Sequence, residues 1–295
     1  MIVITTPTGN IGHQVLGHVL AAGRPVRVIA RNPSGLPGDV RDRAEVIPGS
    51  HGDPEVLARA LDGAEAVFWL APGDRRATSI DDVYRGFTRP ALEALSGVQR
   101  VVDVSALGRG TPYAGQAGHV TASLAMDDLI ADTGVAFRAL AAASFMDNVL
   151  RQARSIAEQG TFFDVLSPDR ALPWVATRDI AAVAARLLLD GTWTGRGEVP
   201  LLGPEHLSYA GIADIVSEVL DKPVRYEQIP AETLYDAMTG SGASEAQGRA
   251  MVEMATAKEK GLDDGVARTP RHATDTPTTF RQWCEDVLAP AVRQA

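Results

Sequence analysis

Val3-Ile4-Thr5-Thr6-Pro7-Thr8-Gly9-Asn10-Ile11-Gly12 decides how this chain is read. The β-branched opening is a strand signal, and Pro7-Thr8-Gly9-Asn10 is turn chemistry. Ile11, Val15, Leu16, Val19 and Leu20 then recur at helical spacing. Strand, glycine-bearing turn and helix in that order open a dinucleotide fold. Such a turn brings free backbone N–H groups and the positive end of a helix dipole to one point, where a pyrophosphate is held. Gly9 leaves room for that approach, and Gly12 lets the helix lie close to the strand. The contacts expected from this loop are Thr6, Thr8, Gly9, Asn10 and Ile11.

Outward from the loop, strands and helices alternate. Strands are expected at 1–5, 26–30, 44–48, 65–71, 99–105 and 135–141. Helices are expected at 11–22, 54–61, 79–96 (bent or broken at Pro90) and 117–132. Asp53 is placed to cap the helix that starts at Pro54. Alternation of this kind builds an α/β, Rossmann-type, doubly wound parallel sheet, and the order 3-2-1-4-5-6 puts the ligand crevice at the carboxyl ends of strands one and four. Beyond residue 145 the pattern loosens. A helix at 177–190 with Thr177 as cap, a strand at 198–202, a helix from Ser208 and a strand at 224–229 suggest a smaller, mixed C-terminal substrate lobe. The division expected is a dinucleotide-binding domain over 1–150 and the lobe over 151–295, with helix 177–190 packing back on the first domain.

Composition narrows the class. At 295 residues, 45% apolar and 22% charged, the chain has ordinary globular values and can bury a large core. No run of about 18 apolar residues occurs, so no membrane span is expected. The start lacks a basic leader segment, which suggests a cytoplasmic protein. A net charge of −9 without a basic stripe argues against nucleic acid. Cys284 is the single cysteine, in an apolar helical setting, so intrachain disulfides and thiolate metal sites are excluded and a buried thiol is expected. The six histidines show no ligand spacing, and no metal is expected.

Arg31 ends the second strand where a carboxylate would accept the ribose 2′-hydroxyl of NAD. A guanidinium there suits a 2′-phosphate, so NADP(H) is expected over NAD(H). Ala71, Pro72 and Gly73, small residues after strand four, are placed beside the central ribose. His51 either stacks on adenine or is an exposed loop residue. Ser105 ends strand five, and His119 starts the following helix. The imidazole of His119 either delivers a proton or bonds water or a carbonyl. Tyr113, Phe145 and Trp174 either line a substrate cleft or are core. The doublets Asp81-Asp82, Asp127-Asp128 and Asp263-Asp264 read as solvated faces or helix-start charges. Asp103 and Arg138, inside strands five and six, are expected to meet as a buried ion pair.

Phe145-Met146-Asp147-Asn148, Arg178-Asp179-Ile180-Ala181-Ala182-Val183 and Pro277-Thr278-Thr279-Phe280 extend the first loop into a resemblance. With that loop they resemble the NmrA-like branch of the atypical short-chain dehydrogenases over nearly the whole chain. The family loop reads Thr-Gly-Ala-Thr-Gly-x-x-Gly, and Thr6 stands where its first glycine belongs. Ser50 holds the position of a family aspartate that contacts adenine, and Phe145 and Asn148 fall in the segment near the substrate. Typical members of the wider group carry Tyr-x-x-x-Lys with a catalytic serine upstream, and Ser105 stands near that serine's place, so the resemblance makes Ser105 and His119 the catalytic candidates. His119-Val120-Thr121-Ala122-Ser123 stands at the equivalent spacing, and Ala141-Ala142-Ala143 replaces Arg-Pro-Gly. The resemblance implies an NADPH-dependent reductase of a small, electron-poor molecule such as a quinone, enone or iminium, acting as a monomer or homodimer. The missing tyrosine and lysine suit two alternatives, a redox sensor that binds NADP(H) without turnover and a non-redox isomerase or cyclase.

Overall fold

The computed structural model describes all 295 residues. The first six strands are β1 (Ile2–Ile4), β2 (Val26–Ala30), β3 (Glu45–Pro48), β4 (Ala66–Trp69), β5 (Arg100–Ala106) and β6 (Ala136–Ala142). They run side by side in the order 3-2-1-4-5-6, every neighbouring pair parallel. A seventh strand, Arg196–Leu201, pairs in parallel with β6. The sequence had assigned that strand to the lobe. In the structure the chain returns to the main sheet after the boundary expected at 150.

The helices covering the sheet follow their apolar stripes. Here α1 (Gly12–Ala21) and the helix Thr177–Leu189 pack together on one face, through Val15, Leu16, Val19, Ile180, Ala184 and Leu188. On the other face lie α3 (Pro54–Leu61), α4 (Leu92–Ser96) and α5 (His119–Ala131); α2 (Gly38–Arg43) bridges β2 and β3. Asp53 caps α3 as expected, its Oδ1 accepting from Glu55 N at 2.9 Å. The span 79–96 is broken where Pro90 removes an N–H: a π-helical turn at Asp82–Gly86 and a 3₁₀ turn at Arg89–Ala91 precede α4. Thr177 is not a cap. It is the first helical residue, and its hydroxyl donates to Asp147 Oδ1 at 3.1 Å.

The lobe has a second core around Phe162, Trp174, Phe280 and Trp283, beneath a three-stranded sheet (His206–Leu207, Leu172–Val175, Ser144–Phe145). Thr161–Asp164 and Arg225–Gln228 form a parallel pair beside it. Ser208 caps the helix Tyr209–Leu220 through Gly211 N at 3.1 Å. Cys284 is wholly buried in this core, and burial pushes its thiol up to about 12. The motif segments at 178–183 and 277–280 meet: Asp179 accepts from Thr278 N at 2.9 Å and from its hydroxyl at 2.8 Å.

Two expectations about charge are corrected, the Asp103–Arg138 pair and the setting of Asp127. Asp103 sits opposite Ala139 and Arg138 opposite Val102, so the two side chains leave opposite faces of the sheet and do not meet. Arg138 instead donates to Thr194 O and Gly195 O, both at 3.0 Å, with its guanidinium 4.6 Å above the Trp193 ring. Asp127, in mid-helix, and Asp263 are both 2% exposed and not solvated; Asp263 is a helix-start charge, in the first turn of the 3₁₀ helix Leu262–Gly265. Lys258 Nζ meets Asp263 at 2.6 Å.

Candidate functional site

The turn after β1 makes an anion seat from backbone alone. No side chain caps α1, and the N–H groups of Asn10, Ile11 and Gly12 donate to no carbonyl or side chain. Gly9 N closes the turn on Thr6 O at 2.9 Å. A Cβ at Gly12 would lie 2.1 Å from that same carbonyl oxygen, so only glycine fits there. Thr6 takes the glycine conformation, with φ +50°. The Asn10 side chain is held away from the seat by Asp147, whose Oδ1 accepts it at 2.8 Å. Asp147 thereby ties the loop to the 145–148 segment, a link that spacing along the chain could not reveal.

Beside this seat, Arg31 lines a cleft of about 460 Å³ together with Pro72, Gly73, Asp74, Val83 and Phe87. Arg31 is exposed, with its fork open to solvent. The structure thus brings the two expected cofactor residues Arg31 and Pro72 to one place. Ser50 turns its hydroxyl to Gly52 N at 3.2 Å and shapes the loop. His51 does not face the cleft. It is 7% exposed, set edge-on between Trp69 and Phe87, and its Nε2 bonds Leu70 O at 3.0 Å. Burial pushes its imidazole down to about 4, so it is a neutral core residue.

At the other end of the crevice, His119 begins α5. Its Nδ1 lies 3.4 Å from the hydroxyl of Tyr84, on the π-helical turn packed against α5. Burial holds His119 below its ordinary value and pushes the Tyr84 phenol up to about 12, so both are neutral at pH 7. Tyr84 was not singled out in the sequence, because a lone tyrosine in a broken helix carries no signal. Ser105 is buried, its Oγ donating to Asp127 Oδ2 at 2.5 Å and lying 3.3 Å from Ser123 Oγ. His119, Ser123 and Asp127 are spaced by four and form one stripe of α5, with Ser123 and Asp127 against Ser105 of β5 and His119 against Tyr84.

The expected substrate-side residues separate. Trp174 is core, 2% exposed, its indole N–H bonded to Leu207 O at 3.0 Å. Phe145 is half-buried against the main core and Asn148 is exposed on the following turn. Tyr113 is half-buried beside Gly261. The lobe reaches over the crevice through the connection between helices Ala231–Gly240 and Glu245–Glu259. Ser244 N donates to Arg75 O at 2.8 Å, its hydroxyl to Ala77 O at 2.6 Å, and Arg75 Nη2 to Ser241 Oγ at 2.7 Å.

No three His, Cys, Asp or Glu side chains group closely enough to hold a metal, and no helix is long and apolar enough to cross a membrane.

Comparison with known proteins agrees with this geometry. A profile described as NAD(P)H-binding matches residues 7–191, and one for the NmrA-like family matches 128–284. The chain is 29% identical over 290 residues to a (4-alkanoyl-5-oxo-2,5-dihydrofuran-3-yl)methyl phosphate reductase of Streptomyces griseus, covering 96% of each. It is 27% identical over 286 residues to an NAD(P)H azoreductase of Xenophilus azovorans, covering 97% of each. Its fold superposes on an NADPH-dependent quinone oxidoreductase of Escherichia coli solved with NADPH, with a TM-score of 0.79, 21% identity and coverage of 100% and 99%.

Proposed function

The chain belongs to the NmrA-like family of NAD(P)H-binding proteins, and from that premise we propose that it is a reductase that uses NADPH in preference to NADH and acts on a conjugated, electron-poor small molecule. The observation that carries the cofactor half is the row of three unpaired N–H groups at Asn10, Ile11 and Gly12 on an uncapped helix, which is the donor set a pyrophosphate needs. Arg31, free and fork-shaped at the end of β2, supplies the preference for a 2′-phosphate. When bound, the dinucleotide supplies a hydride at its nicotinamide.

The substrate half rests on what the crevice lacks. No lysine stands beside a tyrosine to acidify it, so an isolated ketone, whose alkoxide needs a strong acid at hand, is a poor match. Quinones, enones and azo compounds accept hydride into a delocalised system and need a proton later and less urgently. The names of similar proteins, a 5-oxo-2,5-dihydrofuran phosphate reductase, an azoreductase and a quinone oxidoreductase, support this class. In this reading His119, a neutral imidazole with the Tyr84 hydroxyl 3.4 Å from its Nδ1, relays that proton, taking one up at one ring nitrogen as it gives one from the other.

Fluorescence titration tests the first half: NADPH should bind at least tenfold more tightly than NADH, and Arg31→Ala should remove that gap while leaving NADH nearly unchanged. Equal losses for both would sink the assignment. Stopped-flow oxidation of bound NADPH with a panel of quinones, enones and azo compounds tests the second. The absent lysine also favours a second reading, a redox sensor, and tight binding with no turnover across the panel would decide for it.

A further inference from the structure

Behind Ser105 the crevice wall contains two carboxyl groups without a sufficient counter-charge. Asp103 on β5 is 0% exposed and Asp127 on α5 is 2% exposed. Neither oxygen of Asp103, nor Oδ1 of Asp127, receives a hydrogen bond from any donor group of the protein. The groups facing the pair from each neighbouring element are few. Ser105 comes from β5, Ser123 from α5 and Tyr84 from the π-helical turn. Arg109, from the loop after β5, approaches Asp127 Oδ2 only at 3.7 Å. It is engaged by Asp128 at 2.9 Å and by Glu198 of the edge strand.

Two ionised carboxylates cannot face one another in such a site, because burial and mutual repulsion both act against the second charge. We propose that Asp103 keeps its proton at neutral pH and donates it to Asp127, and that the single negative charge left on Asp127 anchors the hydroxyl of Ser105. This arrangement gives two of the three orphaned oxygens partners without any further donor, and leaves the second oxygen of Asp103 as an uncharged carbonyl. The O–H of Asp103 supplies one hydrogen bond to Asp127, Ser105 supplies the other, and Arg109 at 3.7 Å balances the one remaining charge. The asymmetry between the two acids has a cause. Asp127 has Ser105 and Arg109 to stabilise its anion, whereas Asp103 has no cation near it, and burial first and then Asp127 hold its carboxyl well above the ordinary carboxylate range. Asp103 and Asp127 are therefore positioning residues, acting on the reaction through Ser105. That catalytic half rests on the reductase reading; the location of the proton does not.

Infrared spectroscopy of the whole protein reads the proton directly, without turnover. At pH 7 to 8 the wild type should show the carbonyl stretch of a buried protonated carboxyl that exchanges slowly in deuterated water. Asp103→Asn, an isostere with an N–H donor in the same place, should lose that band, and Asp127→Asn should not be the variant that selectively removes it. No such band in the wild type, or a band kept by Asp103→Asn and lost only in Asp127→Asn, would overturn the assignment. Kinetics reads the positioning. Ser105→Ala and Asp127→Asn should each lower kcat about tenfold or more, with KM for NADPH within about threefold, and the double variant should lose no more than either alone. Multiplying losses would show that Asp127 does not act through Ser105. If no acceptor is turned over at all, the reductase reading fails, and the infrared result still judges the proton.

Discussion

At Thr6 the backbone holds a conformation that glycine would adopt without strain. A side chain with φ +50° costs about 1–2 kcal/mol, and the Thr6 hydroxyl is buried with no partner, which costs about 1 kcal/mol more. Against this, glycine loses about 0.5–1 kcal/mol more chain entropy on folding. Thr6→Gly is therefore expected to stabilise the protein by about 1 kcal/mol and raise Tm by about 2 °C, as measured by thermal unfolding. A lower Tm would mean that the methyl contact of Thr6 with the turn outweighs the strain. The departure of Thr6 was legible in the sequence, since one residue type occupied a position whose geometry the neighbouring motif fixes. Asp103 and Arg138 show the opposite case. Their depth along the strands was right, but a parallel pair offset by one residue sends side chains to opposite faces, and register is not written in either strand alone.

The helix α5 presents its polar side chains to the crevice as a stripe. His119, Ser123 and Asp127 follow at every fourth position, a pattern open to view in the sequence, yet the doublet Asp127-Asp128 reads as surface charge until β5 is laid against the helix. His119→Phe is expected to lower turnover of a proton-requiring acceptor by about 10²-fold with NADPH affinity unchanged, measured by steady-state kinetics and titration. Undiminished turnover would make the ring a bystander. Tyr84→Phe should produce a smaller loss, since it removes only the partner of Nδ1. The same stripe makes stability depend on pH. Asp103 and Asp127 have carboxyls raised above their ordinary values, so between about pH 4 and pH 7 the folded protein binds protons that the unfolded chain has released. Their contribution is fully present below pH 4 and is lost as pH rises towards the folded values. Asp103→Asn is expected to flatten that fall by about one proton, or about tenfold in the folding equilibrium per pH unit, as read from denaturant unfolding across the range. An unchanged slope would place the bound proton elsewhere.

On the scale of the whole molecule, alternation limited the central sheet to a few parallel arrangements, and the dinucleotide-type loop after β1 selected the order 3-2-1-4-5-6 among them. The lobe was less legible. Its strands run only two to four residues, too short for periodicity to show, and its joints are made by residues about a hundred apart, such as Asp179 with Thr278. One such joint crosses the crevice. Ser244 and Ser241 of the lobe hold the 75–77 loop of the main sheet, and that loop continues from Pro72 and Gly73 in the cleft beside Arg31. Gly240 and Gly242 flank the contact, and Gly242 has φ +88°, so the connection is built from residues that tolerate a changed backbone. A dinucleotide seated between the loop after β1 and Pro72 would order the 72–77 segment, and the serine contacts would carry that order into the lobe. Hydrogen exchange should then show NADPH slowing amides at 9–12, 72–77 and 241–244 together, with a stabilisation of about 2.7 kcal/mol at a hundredfold excess over Kd. Ser244→Ala, which removes the hydroxyl bond to Ala77 O, should keep the protection at 9–12 and weaken it at 241–244. Protection confined to 9–12 in the wild type would mean that the lobe does not respond to the cofactor, and that any closure over the substrate is driven by the substrate itself.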